Sequence, residues 1–231
     1  MAVEDISWER VYRDLDAEGN AVIKGLLASD ECDEVRGFYQ DEKIFRSQIV
    51  MERHGFGRGE YKYFSYPLPE LITALRTSLY PHLVPIANAW NEAMRIDIRF
   101  PATHEDYIQR CHEAGQNKPT PLLLKYGADD YNCLHQDLYG EHVFPLQIAV
   151  LLSEPNNDFT GGEFVMTEQR PRMQSRPMVL SLQKGDGVVF AVHQRPVQGK
   201  KSIYRVNLRH GVSRLRSGSR YTLGIIFHDA Q

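Results

Sequence analysis

The chain has 231 residues, 42% hydrophobic and 25% charged, with a net charge of −3. That length supports one large domain with a buried core, and that composition excludes disorder, collagen and fibre. Apolar runs such as residues 148–152 fall far short of the ~20 residues of a membrane span, and three scattered cysteines (Cys32, Cys111, Cys133) allow neither a disulfide framework nor a zinc knuckle.

The first ten residues alternate charges and hold no signal-peptide apolar stretch, so a cytoplasmic protein with no membrane contact is expected. Residues 21–27 read as a short strand, and Ser29, Asp30 and Glu31 open a helix reaching about Tyr39. His54-Gly-Phe-Gly-Arg-Gly59 lacks the flanking strand and helix of a phosphate cradle and reads as a flexible lid or plain loop. Residues 69–94 form a helical region that Pro81 and Pro85 should interrupt. Residues 103–114 form another helix, capped by Thr103 with Glu105 and Asp106 in its first turn.

After residue 119 the texture changes. Short apolar strands are predicted at 122–126, 144–152, 162–166, 178–182, 188–192, 203–212 and 221–227, separated by turns such as Lys184-Gly-Asp-Gly187. So many short strands in ~110 residues imply a sandwich or jelly roll. Residues 1–119 are therefore read as a mainly helical region packed on a core formed by residues 120–231, the two making one structural unit.

Charge is unevenly spread. Residues 169–220 hold twelve Lys or Arg and one acid, for +11, while the rest sums to −14. Such a segment is either a surface for an anionic partner or the basic side of contacts with the acidic half.

The informative segment is Tyr131-Asn-Cys-Leu-His135-Gln-Asp137. In an extended chain, residues two apart share a face, so His135 and Asp137 offer an imidazole and a carboxylate to one point. The run Tyr204 to Val212 alternates, putting His210 with Val206 and Leu208 on the core-facing side. Two histidines and one carboxylate on one metal leave three positions open, as in non-haem iron(II) oxygenases. Ten residues on, Arg220 shares a strand face with Thr222 and Gly224, where a guanidinium has room to pair with a carboxylate. His142, His193 and His228 compete with His210, but none has an arginine ten residues on.

With these residues the sequence resembles the 2-oxoglutarate and iron(II)-dependent oxygenases, particularly the prolyl 4-hydroxylase-like group. The likeness covers residues 21–34 and then 122 to the end. Its elements are Tyr126-Gly127, Tyr131, His135-x-Asp137, Thr160-Gly-Gly-Glu-Phe164, Lys184-Gly-Asp-Gly-Val-Val-Phe190, His210 and Arg220. The resemblance implies an α+β fold, with a double-stranded β-helix (jelly roll) core in the C-terminal half and a mainly helical N-terminal layer. It implies iron(II) on His135, Asp137 and His210 as the catalytic centre. It also implies 2-oxoglutarate as cosubstrate on Arg220 and Tyr126, with oxygen as oxidant and ascorbate as a reductant. Tyr131 stands four residues before His135, where some relatives have three, and takes no role.

The expected reaction is hydroxylation of a substrate C–H bond with release of succinate and CO2. A protein or peptide prolyl residue is the first expectation, because the interval from His210 to Arg220 resembles that of prolyl hydroxylases. The alternative is oxidative demethylation of alkylated nucleic-acid bases, motivated by the basic segment and by a resemblance of the ending, His210-Gly-Val-Ser onward, to bacterial families of that proposed activity. Against it, base demethylases usually place two arginines on the final strand, and only Arg220 is available here. A non-enzymatic metal- or oxoacid-binding jelly roll is the reading from another class, and the presence of Asp137 argues against it.

Overall fold

A computed structural model describes residues 3–138 and 140–231. Four helices and fifteen strands make up the fold among them, together with single 3-10 turns. In chain order these are α1 (Trp8–Glu18), β1 (Asn20–Ile23), α2 (Ser29–Gly37), β2 (Phe45–Val50), β3 (Gly57–Arg58), β4 (Glu60–Phe64), α3 (Glu70–Ala93) and α4 (His104–Glu113). The strand-rich half follows with β5 (Leu122–Tyr126), β6 (Tyr131–His135), β7 (Leu146–Leu151), β8 (Phe159–Gly161), β9 (Phe164–Gln169) and β10 (Ser175–Leu180). It ends with β11 (Gly187–Ala191), β12 (Gln194–Gln198), β13 (Ile203–Val212), β14 (Leu215–Gly218) and β15 (Arg220–Ile225).

Two antiparallel sheets face each other, the double-stranded β-helix that the sequence implied. The major sheet runs β1-β11-β7-β15-β5-β4-β2, and the minor sheet runs β10-β9-β13-β6-β3 with β12 also on β13. Composition explains the division. Every residue of β7, β11 and β15 is buried, because helices cover one face of the major sheet and the minor sheet covers the other. β13 instead alternates, with Val206, Leu208 and His210 buried and Arg205, Asn207 and Arg209 exposed, because its outer face meets water.

The N-terminal half is less helical than its sequence implied. β2 and β4 form a hairpin that adds to the edge of β5, and β1 pairs with β11. Neither β2 nor β4 announces itself, since β4 buries a lysine: Lys62 donates to the Tyr39 carbonyl at 3.0 Å and lies over the Tyr39 ring. α1 hides behind its charges, with only Val11 and Leu15 buried four residues apart, and it ends at Gly19 in the left-handed conformation. Pro81 and Pro85 do not interrupt α3, which runs unbroken through both. The apolar contacts of Leu75, Leu79, Leu83, Ala87 and Trp90 outweigh the backbone hydrogen bonds those prolines lack.

α3 is tied to the chain end by a buried polar clamp. Arg76 donates to the Ile226 and His228 carbonyls and pairs with Asp229 at 2.7 Å, and Tyr66 and His112 meet the other Asp229 oxygen at 2.8 Å. No helix among the described residues is long and apolar enough to cross a membrane.

Candidate active site

β6 and β13 are hydrogen-bonded neighbours, and His135 lies directly opposite His210 in their register. Directly opposed side chains on one sheet face meet, which brings these imidazoles to a ring separation of 4.2 Å. Asp137, two residues beyond the end of β6, closes the triangle. Its two carboxylate oxygens stand 3.5 Å from His135 Nε2 and 3.4 Å from His210 Nε2. One ligand atom from each of the three falls within 4.8 Å of the others.

This spacing fits a metal ion. Ligands at right angles on an ion with ~2.1 Å bonds sit ~3 Å apart, a little closer than the separations found here. The ring orientation is also fixed: His135 Nδ1 bonds the Cys133 carbonyl at 2.8 Å, leaving Nε2 turned inward. Burial and the neighbouring His210 hold the His135 imidazole below its ordinary pKa, which keeps it neutral and able to donate a lone pair. Burial raises the Asp137 carboxyl, but His210, His135 and Gln147 outweigh it and keep the group below the usual carboxylate range. Two imidazoles with a carboxylate are a donor set for a divalent cation of borderline hardness.

The triad opens into a cavity of about 310 Å³ between the sheets. At one end lies Arg220, 1% exposed, its Nη1 donating to Thr222 Oγ1 at 2.6 Å while its Nε has no hydrogen-bond partner among the described residues. Burial pushes the guanidinium pKa down to about 10, although Tyr126 and Glu163 oppose it. A buried cation with no carboxylate at ion-pair distance among the described residues is a built receptor for an anionic group. Tyr126 lies opposite Arg220 in the β5–β15 register, with the guanidinium 5.6 Å from its ring centre. Its buried hydroxyl makes no well-formed hydrogen bond, and Asn132 is a polar neighbour. The structure thus gathers His135, Asp137, His210, Arg220 and Tyr126 around one space. Tyr131 is exposed, and neither His142, His193 nor His228 lines that cavity.

Sequence reasoning missed three contributors. Gln147, the one polar residue of β7, lines the cavity beside Asp137. Its signal is a glutamine inside a strand otherwise made of Leu, Ile, Ala and Val. Tyr61 and Tyr63 of β4 also line the cavity, packed edge to face at 5.4 Å. The segment 54–59 is no free lid. Phe56 donates its N–H to Met51 and accepts from Cys133, while β3 pairs with β6.

Several cations of the basic segment are held in ion pairs. Arg176 pairs with Glu18 at 2.6 Å and Lys184 with Asp33 at 2.6 Å, while Arg214 pairs with Asp129. Arg195 is buried against Glu168 and the carbonyls that end α1. Lys200 and Lys201 precede β13 at the end remote from His210, ~23 Å along the strand from it. Arg176, Lys184 and Arg195 join the basic segment to the N-terminal half.

Paired sheets with a His-Asp-His cluster beside a buried arginine define a 2-oxoglutarate and iron(II)-dependent oxygenase, built like the prolyl 4-hydroxylases. Comparison with known proteins narrows this. The chain belongs to the Oxygenase-NA family, described as "Oxygenase, catalysing oxidative methylation of damaged DNA", whose model matches residues 59–230. An uncharacterized protein of Mycobacterium tuberculosis is 48% identical over 167 residues, 72% of each chain. The fold is similar to a Pseudomonas putida prolyl-4-hydroxylase (TM-score 0.54, 12% identity, 97% of this chain and 99% of that one). It is also similar to a Trichoplax adhaerens prolyl hydroxylase solved with a hypoxia inducible factor peptide (TM-score 0.54, 14% identity, 95% and 87%).

Proposed function

We propose that this oxygenase removes alkyl groups from damaged nucleic-acid bases by hydroxylating the carbon attached to the base. His135, Asp137 and His210 hold iron(II), and Arg220 with Thr222 takes the distal carboxylate of 2-oxoglutarate. Tyr126 borders that carboxylate, and its buried hydroxyl is the donor available to it. Iron(II), with 2-oxoglutarate and oxygen, supplies the oxidising power for C–H hydroxylation. One oxygen atom enters the substrate as hydroxyl, and the other leaves in succinate as CO2 is released. A hydroxymethyl group on a ring nitrogen then departs as formaldehyde, restoring the base.

The protein's part is placement and exclusion of water. Gln147 and the two imidazoles orient the Asp137 carboxylate, and the buried arginine fixes the cosubstrate's far end. Because β1, β2 and β4 belong to the sheet that carries Arg220, residues 1–119 and 120–231 work as one unit.

The observation that carries the substrate reading is the character of the space left beside the triad. Its walls are rings and apolar groups, among them Phe56, Tyr61, Tyr63 and Leu134, which suit a flat base better than a charged or extended group. The family description points the same way, whereas the likeness to prolyl hydroxylases speaks for fold alone. The test is succinate release with iron(II), 2-oxoglutarate and ascorbate, run on methylated oligonucleotides and on proline-containing peptides. Turnover stimulated by the oligonucleotides supports the reading, and turnover stimulated only by peptides replaces it with prolyl hydroxylation.

A further inference from the structure

At the mouth of the cavity a short turn, residues 51–59, bridges β2 and β4. Three features of it are unusual together. Phe56 lines the cavity yet keeps 43% of its surface exposed. The His54 ring stacks on it at 5.3 Å and 22°, making a two-ring platform open to solvent. Exposed arginines flank the pair: Arg53 makes no hydrogen bond or ion pair among the described residues, and Arg58 approaches Asp130 loosely at 3.9 Å with Asp129 also within its field. Exposed Glu52 is the single acid of the turn.

The turn is held in place. Met51 donates to Gly59 and Cys133 donates to Phe56, at 3.0 and 2.9 Å. Gly57 (φ +130°) passes so close to the Tyr131 carbonyl that a β-carbon would stand 2.3 Å from it, so only glycine fits. The strand carrying His135 thereby fixes the distance from ring platform to metal triad. Aromatic faces stack on any base, and guanidinium groups beside them take phosphates, which is the common pattern of single-strand recognition.

We propose that residues 53–58 bind one strand of nucleic acid, with a base next to the reacting one stacked on Phe56 and phosphates held by Arg53 and Arg58. This rests on the nucleic-acid reading of the same site and adds to it a preference for single-stranded or locally opened substrate.

The test is fluorescence anisotropy with labelled single-stranded and duplex DNA, on protein loaded with manganese(II) and 2-oxoglutarate, across a salt series. The single strand binds more tightly than the duplex. Phe56→Ala weakens it by about 5- to 150-fold, while Phe56→Tyr, which keeps the ring, binds like wild type. Arg53→Gln with Arg58→Gln flattens the slope of log K against log salt by about 1.4, at ~0.7 per lost contact. Lys200→Gln with Lys201→Gln, at the end of β13 remote from His210, leaves that slope unchanged. Equal affinity for duplex, or unaltered binding by Phe56→Ala while methylated oligonucleotides are still oxidised, overturns the platform and spares the substrate reading. If wild type neither binds nor oxidises any oligonucleotide, the substrate reading falls and the platform with it.

Discussion

Replacing Arg220 with methionine isolates the charge at the closed end of the cavity. Methionine keeps an apolar stem beside the rings of Tyr126 and Phe159, which lie 5.6 and 6.0 Å from the guanidinium carbon, and removes the cation. The native guanidinium is already out of water and lacks a carboxylate partner, so the fold has met its desolvation before 2-oxoglutarate arrives. Losing one side of such a buried charge pair weakens binding by ~2–5 kcal/mol, roughly 30- to 5,000-fold in dissociation constant. Titration calorimetry with manganese(II) in place of iron measures this. Ligand-induced stability gives a second reading. At a concentration 100 times the wild-type dissociation constant, 2-oxoglutarate stabilises wild type by ~2.7 kcal/mol but Arg220→Met by under ~0.9 kcal/mol. Without 2-oxoglutarate the variant unfolds at the same or higher urea, since an unpaired buried charge is gone. An unchanged dissociation constant, or the full stabilisation by 2-oxoglutarate in the variant, refutes the assignment of Arg220.

Asp137→Ala leaves two imidazoles facing each other and lowers manganese(II) affinity by more than ~100-fold, as read from electron paramagnetic resonance of the free ion; retained affinity removes Asp137 from the site. His104 and His228, both held down to about 4 by burial and the nearby Arg76 charge, stay neutral when folded but take up protons when unfolded below ~6.5. Their stabilisation is complete above that value and is lost as pH falls toward 4, with a slope of up to ~2.7 kcal/mol per pH unit; urea unfolding at a series of pH values shows it, and a flat profile from pH 7 to 4.5 contradicts it. Asp229 is raised by burial but pulled lower still by Arg76, His112 and Tyr66, so its contribution persists to lower pH and disappears only below ~4. Asp229→Asn at pH 7 leaves Arg76 buried without a counter-charge and lowers unfolding free energy by ~3–5 kcal/mol; a loss below 1 kcal/mol shows that the clamp is dispensable.

The triad was legible in the sequence because both of its signals are local. His135 and Asp137 are two residues apart on an extended chain, and alternation along β13 alone puts His210 on the buried side. Their meeting is set by the β6–β13 register, which no local pattern contains. The same limit concealed the cavity's other wall. Tyr61 and Tyr63 belong to a strand whose buried lysine breaks the expected alternation, and Gln147 becomes meaningful only once β7 faces Asp137. The prolines of α3 misled for a related reason: local propensity favoured a break, and tertiary packing overrode it. Charge left two readings open, because +11 and −14 segments describe composition, while pairs such as Arg176–Glu18 and Lys184–Asp33 depend on which surfaces touch.

The most direct test of the account is a single turnover. Protein loaded with iron(II) and 2-oxoglutarate without oxygen is mixed with oxygen and a methylated single-stranded oligonucleotide, and succinate and restored base are counted by mass spectrometry. Wild type yields one succinate for each base restored, and Asp137→Ala yields neither product. Restored base without succinate, or equal yields from Asp137→Ala, contradicts this.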